Sequence, residues 1–277
     1  MTKSSTARAL ALTALLVVAV AGCSNAPLPP GPNGTGPYTF TQTVVPAGNG
    51  FGGGTIYTPS GGGPSAGPYP AFVVVPGFTA LQNSIAWTGN LLASQGFVVF
   101  TIDTITTGDD TTSRSTQQRA AMTYLTDQSA VKAKVDRTRL AAMGWSMGGG
   151  GSLRTALADP SIKAVVSLAG WEPFLDVTNV RVPSLMVACQ GDVIAENTGN
   201  SRRFFDQIPA TTEKGYLEIA SADNHFCVTS SNQTIANTLV PWAKLFVAGD
   251  SSQASSLCPG PAIVAPIVTY QVSCPVT

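Results

Sequence analysis

The chain has 277 residues, with 15 Lys+Arg, 15 Asp+Glu and one His, so its formal net charge is zero. Only 11% of it is charged, 44% is hydrophobic, and 28 Gly with 20 Pro fall short of a low-complexity composition, so it can bury a full core. Balanced charge without a basic run excludes nucleic-acid binding, which needs clustered Lys or Arg, and a single His disables any His-based metal site.

Lys3 and Arg8 precede an apolar run over residues 9–21 that ends Val20-Ala21-Gly22-Cys23. A basic start, a short apolar stretch and small residues before a cut site describe an export signal, and the run is too short to span a membrane. The Val-Ala-Gly-Cys ending resembles a bacterial lipobox, which implies cleavage before Cys23 and lipidation of that residue. Residues 1–22 are then a lipoprotein signal peptide and residues 23–37 a lipidated Cys with a Pro/Gly-rich tether. Residues 38–277 are the folded domain. Loss of Lys3 and Arg8 leaves the mature chain with two more acidic than basic side chains.

Thr- and Val-rich residues 39–57 supply antiparallel edge strands. Short β-branched and apolar runs follow at 71–76 (AFVVVP), 96–103 (GFVVFTID), 139–145, 164–169, 184–189 and 216–219. Between them, residues 84–94, 113–125, 148–158, 199–207 and 233–246 carry helical spacing or composition. Strands apolar on both faces, alternating with helices, predict an α/β fold with a mostly parallel sheet covered by helices.

Two segments fit Gly-x-Ser-x-Gly: Gly63-Pro64-Ser65-Ala66-Gly67 and Gly144-Trp145-Ser146-Met147-Gly148. Ser65 lies in a Gly/Pro-rich loop with no helix behind it. Ser146 follows a predicted strand and opens a predicted helix, the context in which small neighbours allow the strained turn of a nucleophile elbow. A Ser hydroxyl needs a base, and His225 is the only imidazole available. With this elbow the chain order is nucleophile, acid, base, so the acid lies between them. Asp159, Asp176, Asp192, Asp206 and Asp223 are the candidates. Asp192 directly follows the 184–189 strand, where an orienting carboxylate belongs, and Asp176 is the reserve. The strand at 71–76 runs into Val75-Pro76-Gly77-Phe78-Thr79-Ala80, a loop placed to supply one oxyanion amide from Phe78, with the other from Met147. Phe78, Trp171 and Ile194 are candidate substrate-binding side chains, with core packing the alternative for Trp171 and Ile194.

With Cys23 lipidated, four cysteines remain, an even number that suggests two disulfides in an exported chain with three possible connectivities. Pairing Cys258 with Cys274 would staple the Pro/Val-rich tail. Cys189 would then pair with Cys227 and tie the loops carrying Asp192 and His225.

From residue 38 to 274 the chain resembles the polyester-hydrolase and bacterial cutinase family, PET-degrading enzymes included. The resemblance is carried by the 75–80 loop, Ser113-Arg114-Ser115 with Gln117-Gln118, and the elbow extended through Gly149-Gly150-Gly151. Trp171, Asp192 with Ile194-Ala195, His225-Phe226 and Cys258/Cys274 complete it. It implies an α/β-hydrolase fold, helices on both faces of the sheet and no large lid, cleaving ester bonds of cutin-like or PET-like polyesters without a cofactor. The Cys189/Cys227 placement resembles the extra disulfide of the PET-hydrolase subgroup. Glu196 stands where the family usually has Pro, and Asp223-Asn224 replace small residues before His225. Ser221 replaces the acidic calcium ligand of some cutinases, so no metal is carried over. The expected protein is a monomeric serine ester hydrolase, lipid-anchored at the bacterial cell surface or outer membrane and touching membrane only through that anchor, or secreted if the lipobox is not used. The alternatives are a short-chain esterase or lipase for soluble esters, and a non-catalytic binding lipoprotein on a hydrolase scaffold.

Overall fold

The computed structural model describes Met1, residues 36–63 and residues 65–274. The signal segment, Cys23 and most of the tether lie outside the described residues. Nine strands form one sheet: β1 (Thr39–Val45), β2 (Gly54–Gly61), β3 (Tyr69–Val75), β4 (Val98–Ile102), β5 (Val135–Trp145), β6 (Ala164–Leu168), β7 (Ser184–Cys189), β8 (Lys214–Ile219) and β9 (Ile267–Val272). Their spatial order is β1-β2-β4-β3-β5-β6-β7-β8-β9. The six strands from β4 to β8 pair in parallel, and antiparallel β1-β2 and β9 flank them.

Alternation along the inner strands builds two cores. In β3, Phe72 and Val74 point into one, while Ala71, Val73 and Val75 point into the other. Helices α1 (Ala86–Ser94) and α5 (Gln233–Ala243) cover the first through Leu91, Leu92, Leu239 and Trp242. Helices α2 (Thr111–Asp127), α3 (Met147–Ala158) and α4 (Ser201–Gln207) cover the second through Leu125, Leu153 and Phe204. A strand buried on both faces has no polar side, which is why the inner strands read as continuous apolar runs.

Every predicted strand and helix has its counterpart, with shifted ends. The strand expected at 139–145 begins at Val135, because a register shift between Tyr69 and Ala71 lets β5 extend beyond the apolar stretch. The helix expected at 233–246 stops at Ala243 and passes into a π-turn, Lys244–Ala248. Strand β9 and the short helix α6 (Ala254–Leu257) lie in a tail whose Pro content hid them.

Two buried polar side chains of α2 lock the sheet beneath the elbow. Gln118 Nε2 donates to the carbonyls of Val73 and Met143 at 2.9 and 3.0 Å, and its Oε1 accepts from Thr155 at 2.8 Å. The Arg114 guanidinium donates to the carbonyls of Pro76, Thr107 and Asp109 at 2.8–2.9 Å. Burial pulls Arg114 down to about 10, with Asp109 and Asp110 opposing, so it stays charged at neutral pH.

Cys189 at the end of β7 is bonded to Cys227, and Cys258 to Cys274, each pair with Cα atoms 5.9 Å apart. The first closes 38 residues of chain. Removing it with Cys189→Ser and Cys227→Ser together should cost about 4 kcal/mol by loop closure. Chemical unfolding of the double variant checks this, and a free energy matching the parent would refute it.

Candidate active site

Ser146 sits between β5 and α3 with φ 55° and ψ −122°, a conformation that costs an L-residue about 1–3 kcal/mol. Its amide donates to the Leu168 carbonyl at 2.9 Å, and its own carbonyl accepts from Gly149 at 2.8 Å and Trp171 at 2.9 Å. The flanking glycines are required by closeness rather than by positive φ. A Cβ on Gly148 would collide with the carbonyls of Val75 and Pro76, and one on Gly144 with the Gly148 carbonyl. Ser65 has none of this. Its peptide is tied to the Tyr38 and Tyr69 hydroxyls in a loop at the opposite end of the sheet.

Asp192 and His225 come together although 33 residues separate them. Asp192 Oδ2 lies 2.7 Å from His225 Nδ1, and both side chains are buried. Asp192 Oδ1 accepts from the amides of Ile194 and Ala195 at 2.9 and 2.8 Å. Burial pushes this carboxyl upward, but the His225 hydrogen bond, the two amides and the His225 charge outweigh it and hold the group below its ordinary value. The other acidic candidates are spent locally: Asp159 on Ser161, Asp176 on Thr178, and Asp206 on Arg202. Asp223 lies in the turn before His225, where its carbonyl accepts from the Phe226 amide.

Ser146 and His225 wall one cleft of about 480 Å³ with Phe78, Thr79, Ala80, Ser84, Trp145, Ile194, Phe226 and Thr229. Their side chains share no hydrogen bond. Met147 is the first residue of α3, and neither its amide nor that of Phe78 has an acceptor among the described residues. Such orphan donors at a helix start favour an anion. Phe78 is 55% exposed and Ile194 52% exposed at the cleft mouth. Trp171, half-buried beside the elbow, is not among the lining residues. Among the described residues no group of three or more His, Cys, Asp or Glu side chains is placed to hold a metal ion.

Several contributors had weak or no sequence signal. Trp145, inside the elbow motif, packs its ring 5.6 Å from that of His225 and donates its indole N–H to the His225 carbonyl at 3.4 Å. Phe226, adjacent to His225, packs against both rings. Ser84, in the 3-10 turn Gln82–Ile85 that opens the expected 84–94 helix, and Thr229, at a bend after His225, reach the cleft without any signal that marks them as its walls. Glu172 anchors the Trp171 loop: its carboxylate takes Arg154 at 3.2 Å and Thr111, and its amide donates to Asn200 Oδ1 at 2.9 Å.

The sequence profile of the PET hydrolase-like family matches residues 32–275. The chain is 45% identical to a bis(hydroxyethyl) terephthalate hydrolase of Streptomyces coelicolor, over 87% of this chain and 77% of that protein. It is 41% identical to cutinase est2 of Thermobifida alba, over 87% of this chain and 81% of the relative, and 38% identical to cutinase cut1 of Thermobifida fusca, over 95% and 85%. On fold, elbow and sequence together, the chain belongs to the PET hydrolase-like family.

Proposed function

We propose that this protein is a serine carboxylic-ester hydrolase that cleaves polyester bonds through an acyl-enzyme. The observation that carries the reading is the buried Asp192–His225 hydrogen bond, opening into the same cleft as the strained Ser146. Ser146 Oγ attacks the ester carbonyl carbon as His225 Nε2 takes its proton, a contact that forms on the way to the reactive complex. Asp192 orients the ring and stabilises the imidazolium. The amides of Phe78 and Met147 hold the oxyanion, and each such donor contributes about 2.7–4 kcal/mol at the transition state. The tetrahedral species collapses, the C–O bond breaks, and the leaving alkoxide takes the proton from His225. Water activated by the same imidazole then releases the acid and restores Ser146.

The open apolar mouth favours a long, poorly hydrated substrate. Phe78, Ile194 and Phe226 are each about half exposed around it, and the relatives carry the names cutinase and terephthalate-ester hydrolase. Trp171, half-buried beside the elbow with its amide on the Ser146 carbonyl, is the remaining candidate for contact with the acyl side. Export and lipid attachment at Cys23 belong to the same reading: an enzyme held at the cell surface meets a polymer that cannot enter the cell.

Ser146→Ala should lower turnover by about 10⁴-fold or more and abolish fluorophosphonate labelling, while the thermal midpoint stays near the parent's. Retained labelling would remove Ser146 from the mechanism. Purified parent should release acid from polyester film as well as hydrolysing p-nitrophenyl esters. Activity confined to short soluble esters would favour an ordinary esterase.

Asp192→Asn should lower kcat by about 10⁴-fold through loss of imidazole orientation. Its stability cost also has a sign. Because folding depresses the Asp192 pKa, the charge stabilises the native state above the ordinary value of 3.8, and that contribution fades as pH falls through the lower native value. The unfolding free-energy gap between parent and Asp192→Asn should therefore be constant near neutrality and shrink below pH 3.8. A gap independent of pH would show that the carboxylate is not charged in the native state.

A further inference from the structure

Basic side chains collect at the amino ends of the parallel strands, the end opposite the cleft. Lys134 immediately precedes β5, Lys163 immediately precedes β6, and Arg181 stands shortly before β7. The β6–β7 register brings Lys163 and Arg181 to about one strand spacing, while Lys134 stands farther out at the same end, because Lys163 aligns with Leu140 of β5 rather than with its first residue. All three side chains are on exposed residues. None enters a salt bridge among the described residues; Arg181 donates only to the carbonyls of Thr178 and Val180. Of the carboxylates at this end, Asp127 and Asp136 are taken by Arg137 and Arg139, Asp159 accepts from Ser161, Asp250 accepts from Ser252 and Gln253, and Glu213, just before β8, is engaged as well.

The N-terminal chain arrives at the same end. Strand β1 is antiparallel to β2 and β2 to β4, so β1 runs in the direction of the parallel strands and Thr39 lies at their amino end. Gly36 and Tyr38 are fastened there to Ser94, at the end of α1. Beside them a cavity of about 260 Å³ is lined by Tyr38, Tyr69, Phe97, Arg139 and Lys244. The cleft end is the reverse. Asp110, Glu196, Phe174 and Val193 are among its exposed groups, Phe174 at 93%, while Arg114 is buried under its carbonyls and Arg154 is paired with Glu172. A chain whose exported form carries an acid excess thus places its unpaired cations where the tether leaves it.

We infer that the amino end of the sheet, through Lys134, Lys163 and Arg181, is a docking surface for an anionic phospholipid bilayer, which holds the cleft outward. The inference rests on the anchoring part of the proposed function, because a tether to lipid would hold this surface near headgroups. Each cation near an anionic leaflet adds a modest attraction, so three together matter only when the chain is already close.

The test separates the surface from the anchor. The mature chain, residues 23–277 with Cys23→Ser, which lacks the apolar signal run and cannot be lipidated, is sedimented with vesicles of phosphatidylcholine alone or mixed equally with phosphatidylglycerol. It should bind the anionic vesicles selectively, and raising salt from about 0.05 M to 0.5 M should release it as the Debye length contracts. Adding Lys134→Glu, Lys163→Glu and Arg181→Glu should weaken binding by about a hundredfold. Hydrolysis of a soluble p-nitrophenyl ester should stay unchanged, which also shows that the variant is folded. Equal binding to both vesicle types, or unchanged binding by the charge-reversed protein, overturns the docking surface. Whether the parent incorporates radiolabelled palmitate in cells reports on the anchor separately, so failure of one reading is not mistaken for failure of the other.

Discussion

The backbone at Ser146 is held where an L-residue does not rest by itself, and much of the site is arranged by what holds it there. A strand must end and a helix begin within one residue, so the main chain is clamped by the Leu168 carbonyl on one side and the Trp171 and Gly149 amides on the other. The clamp works only because α3 lies almost against the loop after β3, where Gly148 leaves no room for a side chain. That contact sets the loop carrying Phe78 close against the start of α3. Strain here is the cost of exposing a hydroxyl above a helix start, where orphan amides already favour negative charge.

The supports beneath this turn explain why residues far from the chemistry form part of the family pattern. Arg114 never reaches the cleft, yet its guanidinium fastens Pro76 and the 107–109 loop, and so sets the height of Phe78. Gln118 ties β3 and β5 to α3. Both are buried polar groups with their hydrogen bonds met, the condition under which such groups add definition to a core. Across the cleft, the Cys189–Cys227 bridge joins the loops of Asp192 and His225, while Trp145 packs against the imidazole from below. Asn200 holds the acid loop by donating to the Glu196 carbonyl at 3.2 Å while accepting from the Glu172 amide.

The molecule is also polarised along its strands. Exposed apolar side chains surround the cleft at the carboxyl ends, and unpaired cations stand at the amino ends beside the chain entry. The near-zero net charge conceals this, because opposite excesses at two ends cancel in a sum. Steering depends on the distribution rather than the total.

The sequence by itself determined the layered α/β class, because strands buried on both faces must be apolar throughout and their helices must alternate with them. It also distinguished Ser146 from Ser65, since only one stood between a strand and a helix, and it left a single imidazole. Its choice of Asp192 rested on position after a strand, and the short distance to His225 came from parallel pairing of β7 with β8, which sets their carboxyl ends side by side. Disulfide connectivity needed the same step, because three pairings satisfy the same count. Trp145, Phe226, Ser84 and Thr229 as cleft walls, the Glu172 and Asn200 supports, and the basic row were decided only by tertiary structure. These are meetings between loops at strand ends, and loops carry no periodicity from which a meeting can be read.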